Sequence, residues 1–242
     1  MAPPSFHLSQ VRPDAICAAA FDAEDFVREY RLRTHVPVSS DRDQLRRAMR
    51  RMRREIPARQ RRIASHQLAT VADRAHLLRP GSHIAVYHAY GAEADLTHLT
   101  HRAWRRGCQV FLPVITHPRT SHMEFFRYEP DMPLKLNAFG IPEPLPAPSA
   151  RIAALHLDVI FLPLVAFDPR GWRLGSGAGF YDRCLQHLRA PRLWRRPKLI
   201  GVAYSQQRVE RLEPNAWDVP LDAVVTQSYL QRFPTQRPGA AS

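Results

Sequence analysis

Apolar residues recur along this chain at helical and strand spacings that alternate. Leu45, Met49, Met52 and Ile56 follow one another at intervals of four, three and four. That is the repeat of one helical face, and it predicts a helix over 42–56 that Pro57 interrupts. A second helix is expected over 58–78, ending at Arg79-Pro80-Gly81. The run His83-Ile84-Ala85-Val86-Tyr87 reads as a buried strand, followed by a helix over 94–106 that Gly107 closes. Segments 109–115 and 123–128 are strand-like. Pro130, Pro133, Pro142, Pro144, Pro146 and Pro148 make 130–150 a long loop without regular structure. A buried strand over 158–163, a helix over 179–188 and short strands over 198–204 and 223–226 complete the pattern. Strands that are continuous apolar runs, alternating with helices, imply an α/β fold. The expectation is a single domain with a mostly parallel, Rossmann-like sheet covered by helices on both faces.

Residues 1–38 differ. They carry Pro3, Pro4, Pro13 and Pro37 and only a short apolar patch over 15–21, so a poorly structured N-terminal extension is expected, with the domain at 39–242. The 242 residues are 45% hydrophobic and 24% charged, an ordinary globular balance. No apolar run approaches the roughly 20 residues of a membrane span, and the first residues lack the basic start and apolar core of a secretory signal. Cys17, Cys108 and Cys184 are widely spaced and odd in number. They suggest reduced thiols and a cytoplasmic location rather than a disulfide framework.

Charge narrows the chemistry. Lys and Arg total 35 against 22 acidic residues, a net +13, so the chain should attract phosphate. The arginine-rich stretch 46–62 can be read as a nucleic-acid surface or as the solvated face of an amphipathic helix. Zinc-finger spacing, an aromatic RNP motif and a basic zipper are all absent, so no specific nucleic acid is expected. No ligand is assigned to Arg50 or Arg53.

The chemistry concentrates in 167–183, where four of the ten glycines fall between 171 and 179. Asp168-Pro169-Arg170-Gly171 has the residues of a type I turn. Gly175, Gly177 and Gly179 then alternate, removing side chains where backbone must approach a ligand, and the expected helix follows at once. Arg173 could grip a phosphate in bidentate fashion, and Asp182 is placed to bind magnesium beside it. A flexible turn is the competing reading of the glycines alone. The run is neither a Walker A loop nor a dinucleotide fingerprint, since Gly-Lys-Ser/Thr is missing and the glycine spacing is wrong.

With Pro163, Ala166-Phe167-Asp168, Gly171, Arg173-Leu174-Gly175 and Tyr181-Asp182-Arg183 in order, the segment closely resembles the signature of the 5-formyltetrahydrofolate cyclo-ligases. Supporting segments stand in family order from about Asp41 to Gln227. They are Arg42-Asp43-Gln44-Leu45-Arg46, Glu93-Ala94-Asp95, His122-Met123, Gly140-Ile141-Pro142-Glu143-Pro144, Gln206 or Gln207, and Trp217-Asp218-Val219-Pro220-Leu221-Asp222.

The resemblance implies ATP- and magnesium-dependent conversion of 5-formyltetrahydrofolate to 5,10-methenyltetrahydrofolate, with release of ADP and phosphate. The γ-phosphoryl group activates the formamide oxygen as an iminophosphate, and N10 then displaces phosphate at the formyl carbon. It places ATP on Arg42, Asp43, Gln44, Leu45 and Arg46 and on the loop Arg173, Leu174, Gly175, Ser176, Gly177, Ala178, Gly179, Phe180 and Tyr181. Arg173 and Tyr181 are implied as catalytic, His88, Glu93, Phe180 and Tyr181 as folate-binding, and Asp182 and Asp218 as magnesium ligands. His88 can equally be a strand-end histidine and Phe180 a core residue. Arg42 replaces the lysine of many relatives, and Ala178 departs from their lysine or glycine. A monomer is expected. The readings set against this one are a nucleic-acid-binding protein and a phosphate-binding α/β sugar-phosphate or acyl-transfer enzyme.

Overall fold

The computed structural model describes residues 41–117, 122–145, 147–189 and 197–234. The expected extension over 1–38, with Cys17, lies outside them. Helix α1 (Arg42–Glu55) starts at Asp41, whose carboxylate accepts from the Asp43 amide at 2.8 Å. The helix buries Leu45, Met49 and Met52, the stripe predicted for it. Pro57 separates it from α2 (Ala58–Arg74). The second helix is shorter than expected, because His76 adopts φ +56° and the Leu77 amide turns back to the Ala72 carbonyl at 3.1 Å.

Next come β1 (His83–Ala85), α3 (Thr97–Arg105), β2 (Gln109–His117) and β3 (His122–Tyr128). They are followed by β4 (Leu134–Leu136), β5 (Pro142–Pro144), β6 (Arg151–Ile152), β7 (Val159–Pro163), β8 (Ala166–Phe167) and β9 (Arg173–Leu174). The chain ends in α4 (Phe180–Leu185), β10 (Lys198–Val202), β11 (Ala223–Val225) and β12 (Leu230–Arg232).

The main sheet has the order β12-β11-β10-β7-β1-β2-β3-β6. Its five central strands are parallel, and antiparallel strands close both edges. This is the expected α/β architecture. Alternate residues of β7 divide between two cores: Val159 and Phe161 face α2 and α3, whereas Ile160 and Leu162 face the side that carries α4. Two-sided burial is why this strand reads as an unbroken apolar run.

The segment expected to be an irregular loop contains the β4–β5 hairpin, paired from Leu134↔Pro144 to Leu136↔Pro142. Proline is tolerated there because the two-stranded ribbon has free edges that need no proline N–H. The edge strands β6 and β12 and the β8–β9 ribbon, two or three residues each, are too short to leave a periodic signal.

Candidate active site

A cavity of about 830 Å³ opens where the chain changes its winding direction. Strand β1 is flanked by β2 on one side and β7 on the other, and ligands of open parallel sheets bind beyond the carboxyl ends of strands at such a point. Tyr87 and His88 follow β1, and Pro163, Leu164 and Val165 end β7; all five line the cavity. The glycine loop and the 137–143 tip of the β4–β5 hairpin supply the other walls.

Helix α1 reaches the site through arginines at spacings of four and three. Arg46 Nε donates to the Gly175 carbonyl at 3.0 Å, Arg50 Nη2 to the Ser176 carbonyl at 2.7 Å and Arg53 Nη1 to the Leu164 carbonyl at 3.2 Å. Such spacing puts all three on one helical face. Arg50 and Arg53, which had no ligand assigned, line the cavity, as does Arg54. Arg42 and Arg46 are not among its lining residues. Arg42 instead donates to the Asp218 carboxylate and the Glu213 carbonyl, both at 2.9 Å, and Arg46 also pairs with Asp43. Leu45 and Leu174 have buried side chains that belong to the core, so neither offers a side chain to ATP. Gln44 and Asp43 are on the exposed side of α1.

Within the glycine loop only two of the three alternating glycines need their residue type. Gly177 has φ +106° and Gly179 φ +69°, whereas a Cβ on Gly175 would meet nothing within 4 Å. The preceding turn closes through the Gly171 amide to the Asp168 carbonyl at 3.2 Å. Gly171 itself, at φ +88°, leaves no room for a Cβ against Phe233. The helix expected over 179–188 is six residues long and continues as a 3-10 turn. Its dipole is small, and the phosphate-binding case therefore rests on the arginines and the loop backbone rather than on a helix terminus.

Arg173 lies on the cavity wall with both terminal nitrogens engaged, one by the Val219 carbonyl and the other by Asp182 at 2.5 Å. Asp182 is on the cavity wall and Asp218 is not. Each of these expected magnesium ligands already pairs with an arginine. No cluster of three or more His, Cys, Asp or Glu suited to a metal occurs among the described residues.

Also on the cavity lining, Glu93 closes a turn in which its carboxylate accepts from the Tyr90 amide at 3.1 Å. Tyr87 Oη donates to the Ala94 carbonyl at 2.8 Å and Tyr204 Oη to the Glu93 carbonyl at 3.3 Å, fixing this backbone from beneath. Burial pushes the Glu93 carboxyl above its ordinary range, while the Tyr90 amide and then Arg53 and Arg50 oppose that shift. Burial also lowers the pKa of His88, which favours a neutral ring; its Nε2 is buried without a hydrogen-bond partner. Desolvation raises the Tyr181 phenol above its ordinary range, so it stays protonated at neutral pH. Phe180 packs partly on the core and meets the half-exposed Phe139 ring edge-on, with centroids 6.1 Å apart.

Asn137 and Phe139 escaped the sequence reading, and Gly140–Pro144 entered it only as a family-like segment with no regular structure assigned. Asn137 Nδ2 donates to Glu143 at 2.7 Å, and Glu143 also accepts from the Ile115 amide at 3.2 Å, which docks the hairpin on β2. The Asn137 side-chain oxygen accepts from the amides of Phe139 and Ile141 at 2.8 and 3.0 Å. An asparagine three residues before a glycine was the available sign of that turn.

A family model described as the 5-formyltetrahydrofolate cyclo-ligase family matches residues 38–227. The chain is 39% identical over 183 residues to the 5-formyltetrahydrofolate cyclo-ligase of Haemophilus influenzae, covering 74% of this chain and 94% of that protein. It is 40% identical over 147 residues to the enzyme of the same name from Escherichia coli K12, covering 60% and 78%. Among solved structures it resembles the 5,10-methenyltetrahydrofolate synthetase of Aquifex aeolicus, with TM-score 0.67 and 31% identity over 83% of this chain and 95% of that one. The synthetase of Mycoplasma pneumoniae shares the fold, with TM-score 0.59 at 21% identity over 77% and 99%.

Proposed function

The chain belongs to the 5-formyltetrahydrofolate cyclo-ligase family, and from that premise we propose that its cavity binds 5-formyltetrahydrofolate against MgATP and closes the methenyl ring. The observation that carries this reading is the polarity of the cavity. A half-buried carboxylate, Glu93, shares the cavity lining with Arg50, Arg53 and Arg54 of α1 and with the glycine loop.

Glu93 suits the amino-pyrimidine edge of a pterin, which presents two N–H donors. The loop 175–179, fastened by Arg46 and Arg50, suits the phosphates of ATP. In the reaction the formyl oxygen attacks the γ-phosphorus, the bond to the ADP oxygen breaks, and ADP leaves with that electron pair. N10 then adds to the formyl carbon, loses its proton, and the C–O bond breaks to release phosphate. Such transfer needs alignment and charge neutralisation, which arginines supply. Magnesium enters with the phosphates as MgATP, and no step is routed through a metal held by the protein.

Arg173, clamped between Asp182 and the Val219 carbonyl, keeps β9 and the first turn of α4 in register, and Tyr181 offers its phenol to the ligand as a neutral donor. Residues 39–242 are the catalytic domain in this reading, with a monomer acting in the cytoplasm. No helix among the described residues is long and apolar enough to cross a membrane. The test is the absorbance of the methenyl product after mixing protein, 5-formyltetrahydrofolate and MgATP. An increase that needs all three components supports the proposal, and its absence with correctly folded protein refutes it.

A further inference from the structure

Arg53 is 7% exposed, yet it lines the cavity. Its Nη1 donates to the Leu164 carbonyl, and its Nε is buried with no hydrogen-bond partner. A guanidinium carries five N–H donors in one plane, and a buried donor left unmade is costly. Desolvation lowers the Arg53 pKa, and Glu93 is the leading charge that opposes the shift. Glu93 and Arg53 nevertheless form no ion pair with one another; among the described residues, the hydrogen bond to the Glu93 carboxylate comes from the Tyr90 amide. Two opposite charges, the buried Arg53 and the half-buried Glu93, thus face one cavity without closing on each other. A ligand that lies between them must offer donors to one and acceptors to the other.

The following step rests on the proposed function. Along one edge of the pterin of 5-formyltetrahydrofolate the order is amino group, ring N–H, ring carbonyl, and then the formyl oxygen on the neighbouring nitrogen. If Glu93 takes the two donors, the next groups along that edge are both acceptors. They require the donor that the cavity holds beside Glu93. We propose that Arg53 donates to the formyl oxygen and the adjacent ring carbonyl, and is the specificity-determining residue by which this enzyme distinguishes a 5-formyl from a 5-alkyl tetrahydrofolate. A 5-methyl group presents no acceptor to the guanidinium, so with that ligand the bond to the formyl oxygen is lost while the one to the ring carbonyl remains.

The decisive measurement is equilibrium binding of 5-formyl- and 5-methyltetrahydrofolate by quenching of intrinsic fluorescence, without ATP so that no turnover occurs. For the wild type, a charge-assisted hydrogen bond predicts that the 5-formyl ligand binds roughly ten- to a hundredfold more tightly. Arg53→Met keeps the aliphatic stem, and the Leu164 carbonyl retains its bond from Gln207 Nε2 at 2.9 Å. The substitution therefore strands no buried acceptor. Its expected effect is a larger loss for the 5-formyl ligand than for the 5-methyl ligand, bringing the ratio of affinities to about one. Arg53→Lys keeps the charge without the planar fork, and is expected to give an intermediate ratio. It also carries the test should the methionine variant not fold. His88→Ala removes the other unpartnered buried donor or acceptor on this wall and should leave the ratio unchanged.

Equal losses for both ligands at Arg53, or a ratio that collapses at His88 instead, overturn the inference. Retention of the wild-type ratio by Arg53→Met overturns it as well. A wild-type protein that binds neither folate and forms no methenyl product fails at the level of the proposed function, a different result from folate binding without discrimination.

Discussion

Arg50 donates from Nη2 to the Ser176 carbonyl at 2.7 Å, fastening the first helix to the glycine loop across 126 positions of sequence. Arg46 makes the neighbouring attachment at Gly175. Arg50 lines the cavity beside its attachment, whereas Arg46 also pairs with Asp43 and lies outside the lining.

Replacing Arg50 or Arg46 by Ala is therefore expected to reduce kcat/KM for ATP by roughly ten- to a hundredfold, the worth of a charge-assisted phosphate contact. Arg51, exposed on the same helix, is the control and should change it by less than about twofold. Steady-state kinetics with ATP varied at saturating folate checks this. Equal small effects at all three positions would return α1 to a solvated basic face.

The glycines of the loop are not equivalent. Gly177→Val should abolish turnover with little loss of thermal stability, because a β-branched residue resists φ +106° and places methyl groups where phosphate is to lie. Gly175→Ala should remain active, since its φ is not left-handed and the new Cβ meets nothing within 4 Å. Activity and melting temperature measured on the two variants together separate a conformational requirement from simple crowding.

The Glu93 carboxyl costs stability when ionised. Burial raises its folded pKa above the ordinary 4.5, so the native state holds the proton more tightly than the unfolded chain. The cost of ionising it is absent below about pH 4.5, grows as pH rises through the folded pKa, and is then constant. Glu93→Gln is expected to raise Tm at pH 7, with a gain that shrinks toward pH 4.5, and to raise the KM for folate. A variant whose Tm advantage is the same at both pH values would show that the carboxyl is not desolvated.

Asp168 is fully buried, and its carboxylate accepts from the amides of Arg170, Trp172 and Leu212 at 2.9, 3.0 and 3.1 Å, and from Arg170 Nε at 3.0 Å. Asp168→Ala removes the acceptor of three amide donors and the ion pair with Arg170, and the expected loss is about 3–5 kcal/mol in urea unfolding. A loss under about 1 kcal/mol would mean that water replaces the carboxylate.

What could be read from one dimension follows from what each residue's local environment imposes on it. Strand β7 was legible because burial on both faces permits only apolar side chains. Helix α1 was legible because Leu45, Met49 and Met52 must all meet the core. The turn at Asp168 and the loop at Gly177 and Gly179 left marks because left-handed backbone selects glycine. The direction in which an arginine points leaves no such mark. Arg50, Arg51 and Arg53 are the same residue at adjacent places on one helix, and only the docking of α1 against residues 164 and 175–176 separates the two that face the cavity from the one that faces solvent. The β4–β5 hairpin was hidden for a related reason. Its prolines argue against a strand wherever an N–H is needed, and only the ladder, with the Asn137–Glu143 bond and the anchor at Ile115, makes the ribbon stable. Propensity and periodicity report whether a side chain meets water or core. Which carbonyl a long polar side chain reaches, and whether Glu93 and Arg53 share one cavity, depends on contacts between distant segments that arise only when the sheet is assembled.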